Sequence, residues 1–347
     1  MHHDAFRSAR RCARYSRAAR AGQRSRGAAR SSSRPCSCSG RNSGGSVTVD
    51  FAGIFAPLTT PFSADGCVSL TDLKHNVGLY NGTGLRGYVV LGSTGEAVLL
   101  TPAEIEPVLA AVKEAAAPGK LLIAGSGAES TAETIERTRR AAELGYEAVL
   151  VKPPHYYKPQ YKADVLVGHF RRVADASPIP VLLYSIPQFT GIPLETREVV
   201  ALAEHPNIAG IKESSGNVQR VGEIIAAAPR GFQMLVGSAS TLYASLCVGA
   251  IGGILALADA LPEQCVELYE TFRRGEQERA GRLQEALVPI SKLVVSDHGA
   301  AGVKYAMDYR GYRGGQPRLP LICPQGEAAR AIRESLASIL SFESARA

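Results

Sequence analysis

The stretch NIAGIKESSGN (207–217) places one lysine, Lys212, at the end of a short apolar run, just before the chain breaks into small polar residues. An ammonium taken out of water has its pKa pushed from ~10.4 toward neutrality, and the neutral amine attacks a ketone. The iminium so formed draws electrons, so a neighbouring C–C bond can break or form without a metal. Position alone leaves another reading open: a strand-end lysine that snorkels to solvent or pairs with the adjacent Glu213. A second stretch, GSTGE (92–96), supplies what such an amine needs from its surroundings. Its glycines let backbone approach a ligand. Ser93, Thr94 and the amides that follow, Gly95 first, suit a carboxylate, aided by the start of the next helix. Together the two stretches describe a site for a 2-oxo acid, with its carboxylate in the turn and its ketone at the amine. Tyr184, in LLYSIP, is a candidate proton shuttle, although a buried core tyrosine fits the same position.

Other chemistries find less support. Nothing has the spacing of a His/Asp/Glu metal cluster, His155 stands alone as a surface or packing residue, and no G-x-S-x-G elbow occurs. Of nine lysines, Lys74, Lys113, Lys292 and Lys304 fall in helical patterns, Lys120 precedes a strand, and Lys158 and Lys162 lie in a loop or helix start. Only Lys152 and Lys212 end strand-like runs.

Eight such runs must position these residues: 53–59, 87–92, 120–125, 147–152, 179–185, 207–212, 233–238 and 251–256. They are nearly continuous in apolar residues, as in parallel strands covered on both faces. Helical segments alternate with them and open on recognisable caps: Ser69, Thr101-Pro102-Ala-Glu104 and Ser130-Thr131-Ala-Glu133. The pattern predicts an α/β fold, a (β/α)8 TIM barrel, whose strand C-termini carry the site. An open doubly wound sheet is the alternative, weakened because no GxGxxG follows the first strand. Residues 259–345 read as helix, broken by a loop at Tyr309–Arg318. The expected division is a leader (1–47), the barrel (48–258), and a last barrel helix with a C-terminal helical appendage (259–347).

Composition narrows the partners. The chain has 347 residues, 45% of them hydrophobic, and no run near the ~18 apolar residues of a membrane span. Eleven arginines against one acid, Asp4, give residues 1–47 a net +10, so the remainder of a chain at +7 sums to −3. Neither a nucleic-acid partner nor a membrane is expected for the body of the protein. The seven scattered cysteines read as reduced thiols. The leader has no apolar core of a secretory signal. Its arginines at 7, 10, 11, 14 and 17 suit either a mitochondrial presequence or a disordered extension. The protein is expected to be soluble and intracellular, cytoplasmic in a bacterium or in the mitochondrial matrix of a eukaryote.

From about residue 50 to 322, TTPF (59–62), GSTGE (92–96), PHYYKP (154–159), LLYSIPQFTG (182–191), GIKESSGN (210–217) and GGILA (252–256) occur in an order that resembles the dihydrodipicolinate synthase/N-acetylneuraminate lyase family. The resemblance implies a (β/α)8 barrel with extra C-terminal helices, usually a homotetramer of two tight dimers, acting on a small 2-oxo acid without metal or organic cofactor. It implies that Lys212 forms the Schiff base and that Tyr184 donates and accepts protons. It puts substrate contacts on Ser93, Thr94, Gly95 and the backbone near Gly253 and Ile254. Tyr156 matches an aromatic that the family lends to a neighbouring subunit's site. Phe189 stands where synthases carry a substrate-binding arginine. VLLYSIPQFTGIPL, HPNIAGIKESSGN and MDYRGYRGGQPRLPL resemble the branch that cleaves 4-hydroxy-2-oxoglutarate to pyruvate and glyoxylate, with Ser214 a candidate for the distal carboxylate. Thr94 departs from the asparagine expected in animal members of that branch. The synthase reaction, joining pyruvate to aspartate semialdehyde, stays open, as do aldolases of sugar-acid-derived 2-oxo acids and a silent 2-oxo-acid sensor.

Overall fold

Each of the eight apolar runs gives rise to a strand. In the computed structural model, which describes residues 49–344, these are β1 (Gly53–Ala56), β2 (Gly87–Val90), β3 (Leu121–Gly125), β4 (Ala148–Val151), β5 (Val181–Ser185), β6 (Ile208–Glu213), β7 (Gln233–Val236) and β8 (Gly252–Ile254). The expectation for residues 1–47 lies outside the described residues. Neighbouring strands pair in parallel in chain order, and β8 pairs with β1 to close a barrel. The seam closes on two glycines, since a Cβ on Gly252 would lie 2.0 Å from the Gly53 carbonyl oxygen. Seven of the strands are shorter than their apolar runs, and β6 is shifted one residue along its own, ending at Glu213. Residues left over after the strands' C-terminal ends enter the loops of the barrel mouth, where (β/α)8 proteins carry their sites.

Helices α1 (Leu70–Asn81), α2 (Pro102–Ala115), α3 (Thr131–Glu143), α4 (Ala163–Ala176), α5 (Thr196–Ala203), α6 (Val218–Ala227), α7 (Leu242–Cys247) and α8 (Pro262–Arg273) alternate with the strands. Their starts follow the cap residues. The Ser69 hydroxyl accepts from the Asp72 amide at 3.3 Å, and Ser130 accepts from the Glu133 amide at 3.1 Å. Thr101 and Glu104 form a capping box with Pro102 in the first turn.

Alternation along the strands makes two cores. Phe55, Val89, Ile123, Leu150, Leu182 and Leu235 fill the barrel interior, while Tyr88, Val90, Val149, Leu183 and Val236 pack outward against the helices. The interior is solid, so ligands reach the barrel only at its mouth.

Beyond α8 come α9 (Gln277–Ser291), a π turn (Lys292–Ser296), α10 (Gly299–Tyr309) and α11 (Gly326–Ser344). The break after α10 runs to Gln325, longer than the loop expected from sequence. Pro317, Pro320 and Pro324 lack the amide a helix needs and hold the chain off helical geometry. The described residues from Val49 onward belong to one compact unit, so α9–α11 extend the barrel rather than fold apart from it. No helix among the described residues is long and apolar enough to cross a membrane.

Candidate active site

Lys212 faces the barrel interior because β6 is irregular. Val181 of β5 pairs with Ile208, but the next residue, Leu182, pairs with Gly210, so β6 takes two residues where β5 takes one. Ile208 and Ile211 consequently both pack in the outer core, three positions apart, which strict alternation forbids. The extra residue flips the faces of everything after it. Lys212 then falls on the inward face, opposite Tyr184 of β5, whose ring belongs to the inner core. Gly210 permits this, since a Cβ there would lie 2.2 Å from the Gln233 carbonyl oxygen of β7. Glu213 points to the other face. There it accepts from Arg220 Nε of α6 at 2.9 Å and from the Ser215 amide at 2.6 Å. The sequence neighbour that could have neutralised Lys212 is thus occupied elsewhere.

Lys212 is 5% exposed and Tyr184 4%. Lys212 Nζ lies 3.5 Å from Tyr184 Oη and 4.5 Å from the centre of its ring. Tyr184 Oη lies 3.4 Å from Ser93 Oγ. Amine, phenol and alcohol form one chain that leads from β6 through β5 to the turn after β2. The chain opens into a cavity of about 630 Å³ lined by Ser93, Thr94, Tyr184, Phe189, Lys212 and Ser214. Ser291, Val295 and Ser296 of α9 and the π turn close its far side. Gly237, just after β7, leaves room for the side chains of Lys212 and Ser214, because a Cβ there would meet Ser214 Oγ at 1.8 Å and Lys212 Cε at 3.2 Å. Ser214 Oγ is buried and has no hydrogen-bond partner among the described residues.

The turn after β2 is held at both ends. Leu91 and Glu96 have φ of 62° and 53°, a region costly for residues with side chains. Thr60 Oγ1 donates to the Gly95 carbonyl at 2.8 Å. Gly95 therefore shapes the turn from behind and does not line the cavity. Gly253 and Ile254 do not line it either. Ile254 packs in the inner core, and the cavity wall on that side is Ala256 and Leu257. Tyr156 lies on the loop after β4, 76% exposed, with its ring edge-on to Tyr157. Within one chain it is not bonded to Tyr184.

Lys152, the other strand-end lysine, is held apart from Lys212. Its Nζ lies 3.5 Å from Glu129 Oε1 and 3.2 Å from His155 Nδ1. Burial lowers its pKa, and the Glu129 carboxylate opposes that shift. His155 is more than a lone surface histidine, because its Nδ1 lies 2.8 Å from Glu129 Oε1. Glu129 Oε2 also accepts from the His155 and Tyr156 amides, both at 2.9 Å, and so tethers the loop that carries Tyr156. Among the described residues no group of three or more His, Cys, Asp or Glu could hold a metal ion.

Asp259, just past β8, goes unremarked in the sequence pattern. It is fully buried. Burial pushes its carboxyl up to about 8, partly offset by the Thr59 amide, which donates to Oδ1 at 3.2 Å, and by the charge of nearby Lys212. Oδ2 has no partner among the described residues. An acid at a strand end is a visible signal in the sequence, but its burial is not.

A model of the dihydrodipicolinate synthetase family matches residues 50–341, reaching past 322 into α11. The chain is 36% identical over 281 residues to a 4-hydroxy-tetrahydrodipicolinate synthase of Exiguobacterium, covering 81% of this chain and 95% of that one. It is also 36% identical over 297 residues to a probable mitochondrial 4-hydroxy-2-oxoglutarate aldolase of Emericella nidulans, covering 84% and 96%. Among solved structures, dihydrodipicolinate synthase of Bacillus anthracis matches with a TM-score of 0.80 at 28% identity, over 84% of this chain and 99% of that one. The Aquifex aeolicus enzyme matches with a TM-score of 0.79 at 30% identity, over 84% and 98%.

Two outcomes follow from this geometry. Gly210→Ala forces β6 and β7 apart and disturbs the inward aim of Lys212. Turnover of 2-oxo acids should fall at least ~100-fold, and urea unfolding should show a loss of about 2 kcal/mol. Gly222→Ala in α6, where the nearest atom to a new Cβ is 3.8 Å away, should leave turnover unchanged and raise stability by about 0.5–1 kcal/mol, as alanine replaces glycine inside a helix. Asp259 titrates higher in the folded protein than in the unfolded chain, from 3.8 to about 8. The folded form therefore keeps a proton that the unfolded form releases, and stability declines as pH rises from about 4 to 8. In Asp259→Asn the loss of unfolding free energy between pH 5 and pH 8 should shrink by at least about 1 kcal/mol. An unchanged difference would place the titrating proton elsewhere.

Proposed function

The chain belongs to the dihydrodipicolinate synthetase family, and on that premise we propose that it cleaves 4-hydroxy-2-oxoglutarate to pyruvate and glyoxylate. Members of this family are Schiff-base-forming carbon–carbon lyases, and this chain is one of them. The observation that carries the substrate reading is the Lys212–Tyr184–Ser93 chain opening into a roofed cavity where Phe189 and an unpartnered Ser214 hydroxyl face the space beyond the amine.

In the proposed reaction the substrate's C1 carboxylate rests against Ser93 and Thr94, with the backbone of Gly95 and the Gly253–Ile254 strand end behind them. Lys212 attacks the C2 ketone and loses water to give an iminium. Tyr184 takes the proton of the C4 hydroxyl, the C3–C4 bond breaks, and its electron pair moves onto the iminium as an enamine. Glyoxylate leaves. Tyr184 returns the proton to C3, and water releases pyruvate and the free amine. Ser214 Oγ is free to donate to the distal carboxylate, so binding that end satisfies a buried hydroxyl. Phe189 offers no charge to the substrate.

We also propose a homotetramer in which exposed Tyr156 serves the site of a neighbouring copy. For location we propose the mitochondrial matrix in a eukaryote or the cytoplasm in a bacterium. The mitochondrial Emericella relative supports the first.

The second reading, synthesis from pyruvate and aspartate semialdehyde, is favoured by relatives named as synthases. A panel of 2-oxo acids separates the two. The wild-type protein should release glyoxylate and pyruvate from 4-hydroxy-2-oxoglutarate with kcat/KM at least ~100-fold above that for aspartate semialdehyde with pyruvate, a gap of about 2.7 kcal/mol in transition-state binding. The reverse preference would assign the protein to the synthase reaction.

A further inference from the structure

The C-terminal appendage reaches the substrate turn through a buried ion pair. Lys304 of α10 and Glu96 at the end of GSTGE are both sealed from solvent, with Nζ 2.5 Å from Oε1. They are 208 residues apart in the chain. Lys304 Nζ also donates to the Gln316 carbonyl at 2.9 Å, and Glu96 Oε2 accepts from the Arg318 amide at 2.8 Å. Phe62 of TTPF, which follows β1, lies between two cations, Lys304 Nζ and the Arg318 guanidinium, each 4.3 Å from its ring centre. Arg318 then spreads over the far side of the turn. It donates to both oxygens of Glu104 at 2.7 Å and to the Leu99 carbonyl at 3.0 Å.

A buried ion pair is a poor source of stability, because apolar side chains of the same size serve as well. What it supplies is position. Glu96 sits in the left-handed region, as does Leu91 at the other end of the turn. Such conformations persist only where the surroundings over-determine them, and they cluster at functional sites. The residues between these two points include Ser93 and Thr94.

We propose that Lys304 and Glu96 are positioning residues for the 2-oxo-acid carboxylate, with α10 and the loop that follows it acting as a clamp on the turn that receives it. This rests on the reading of Ser93 and Thr94 given above. The pair touches no substrate. Its effect is to keep Ser93 and Thr94, which line the cavity, in place before the ligand arrives, which lowers the cost of binding rather than the barrier to bond breaking.

The test is the full-length double variant E96L/K304M, which removes both charges and strands neither. The Arg318 amide and the Gln316 carbonyl lose their side-chain partners, so the urea midpoint should fall while the protein stays folded. Its KM for 4-hydroxy-2-oxoglutarate should rise at least tenfold, while kcat falls less than threefold. A folded double variant with KM within twofold of the wild type would overturn the inference, since a merely structural pair would give that result. Should the double variant not fold, Lys304→Arg decides. The charge is kept but the larger fork displaces Glu96, and KM should rise at least threefold with kcat within twofold, an unchanged KM being contrary. A wild-type protein that turns over no 2-oxo acid would instead sink the proposed function, and this inference with it.

Discussion

Lys212 reaches the barrel interior because β6 carries one residue more than β5 needs. Along a regular strand the inward and outward positions alternate, and Ile208 already faces outward. A regular β6 would send Lys212 to the helical layer, among apolar side chains. The irregularity after Ile208 exchanges the faces, and the rest of the site follows from that exchange. Glu213 is turned out to Arg220. Gly210 and Gly237 are confined to glycine by close neighbours. Lys212 meets Tyr184 across one rung of the sheet. A strand defect thus decides which of two adjacent charged residues faces the cavity.

The polar groups around this amine divide by their degree of satisfaction. Glu104 and Arg318 are densely hydrogen-bonded, and Glu96 holds the turn after β2 to the appendage through the Arg318 amide and the charge of Lys304, which pairs with Oε1. Among the described residues, Ser214 Oγ and Asp259 Oδ2 are buried without hydrogen-bond partners. Ser214 Oγ lines the cavity and keeps its bonding capacity available to a polar ligand there. Asp259 meets burial differently, by keeping its proton up to about pH 8. The rigid part of the site surrounds the place proposed for one carboxylate, and the unsatisfied part lies where the rest of a substrate would extend.

Much of this was legible in the sequence. The eight apolar runs, the caps at Ser69, Thr101 and Ser130 and the convergence of strand ends depend on local patterns, and the barrel follows from them. Lys212, Tyr184, Ser93, Thr94 and Ser214 come together around one cavity. The rest depended on long-range geometry. The NIAGIK run does not announce a bulge, because register is a property of two strands. Lys304 reads as one more helical lysine until α10 folds against a turn 208 residues earlier. The loop after Tyr309 is longer than its glycines suggest, since three prolines extend it. Gly95, Gly253 and Ile254 support the wall of the cavity without lining it, a distinction of depth that motif order does not encode. Glu129 carries no motif at all, yet it tethers the loop holding Tyr156.

The account stands on a covalent bond between Lys212 and a 2-oxo acid. The most direct measurement is borohydride reduction of the protein in the presence of pyruvate, followed by mass mapping of its peptides. The reduced pyruvyl adduct should appear on the peptide containing Lys212 and be absent from Lys212→Ala. An adduct on Lys152, or one that persists in Lys212→Ala, would contradict it.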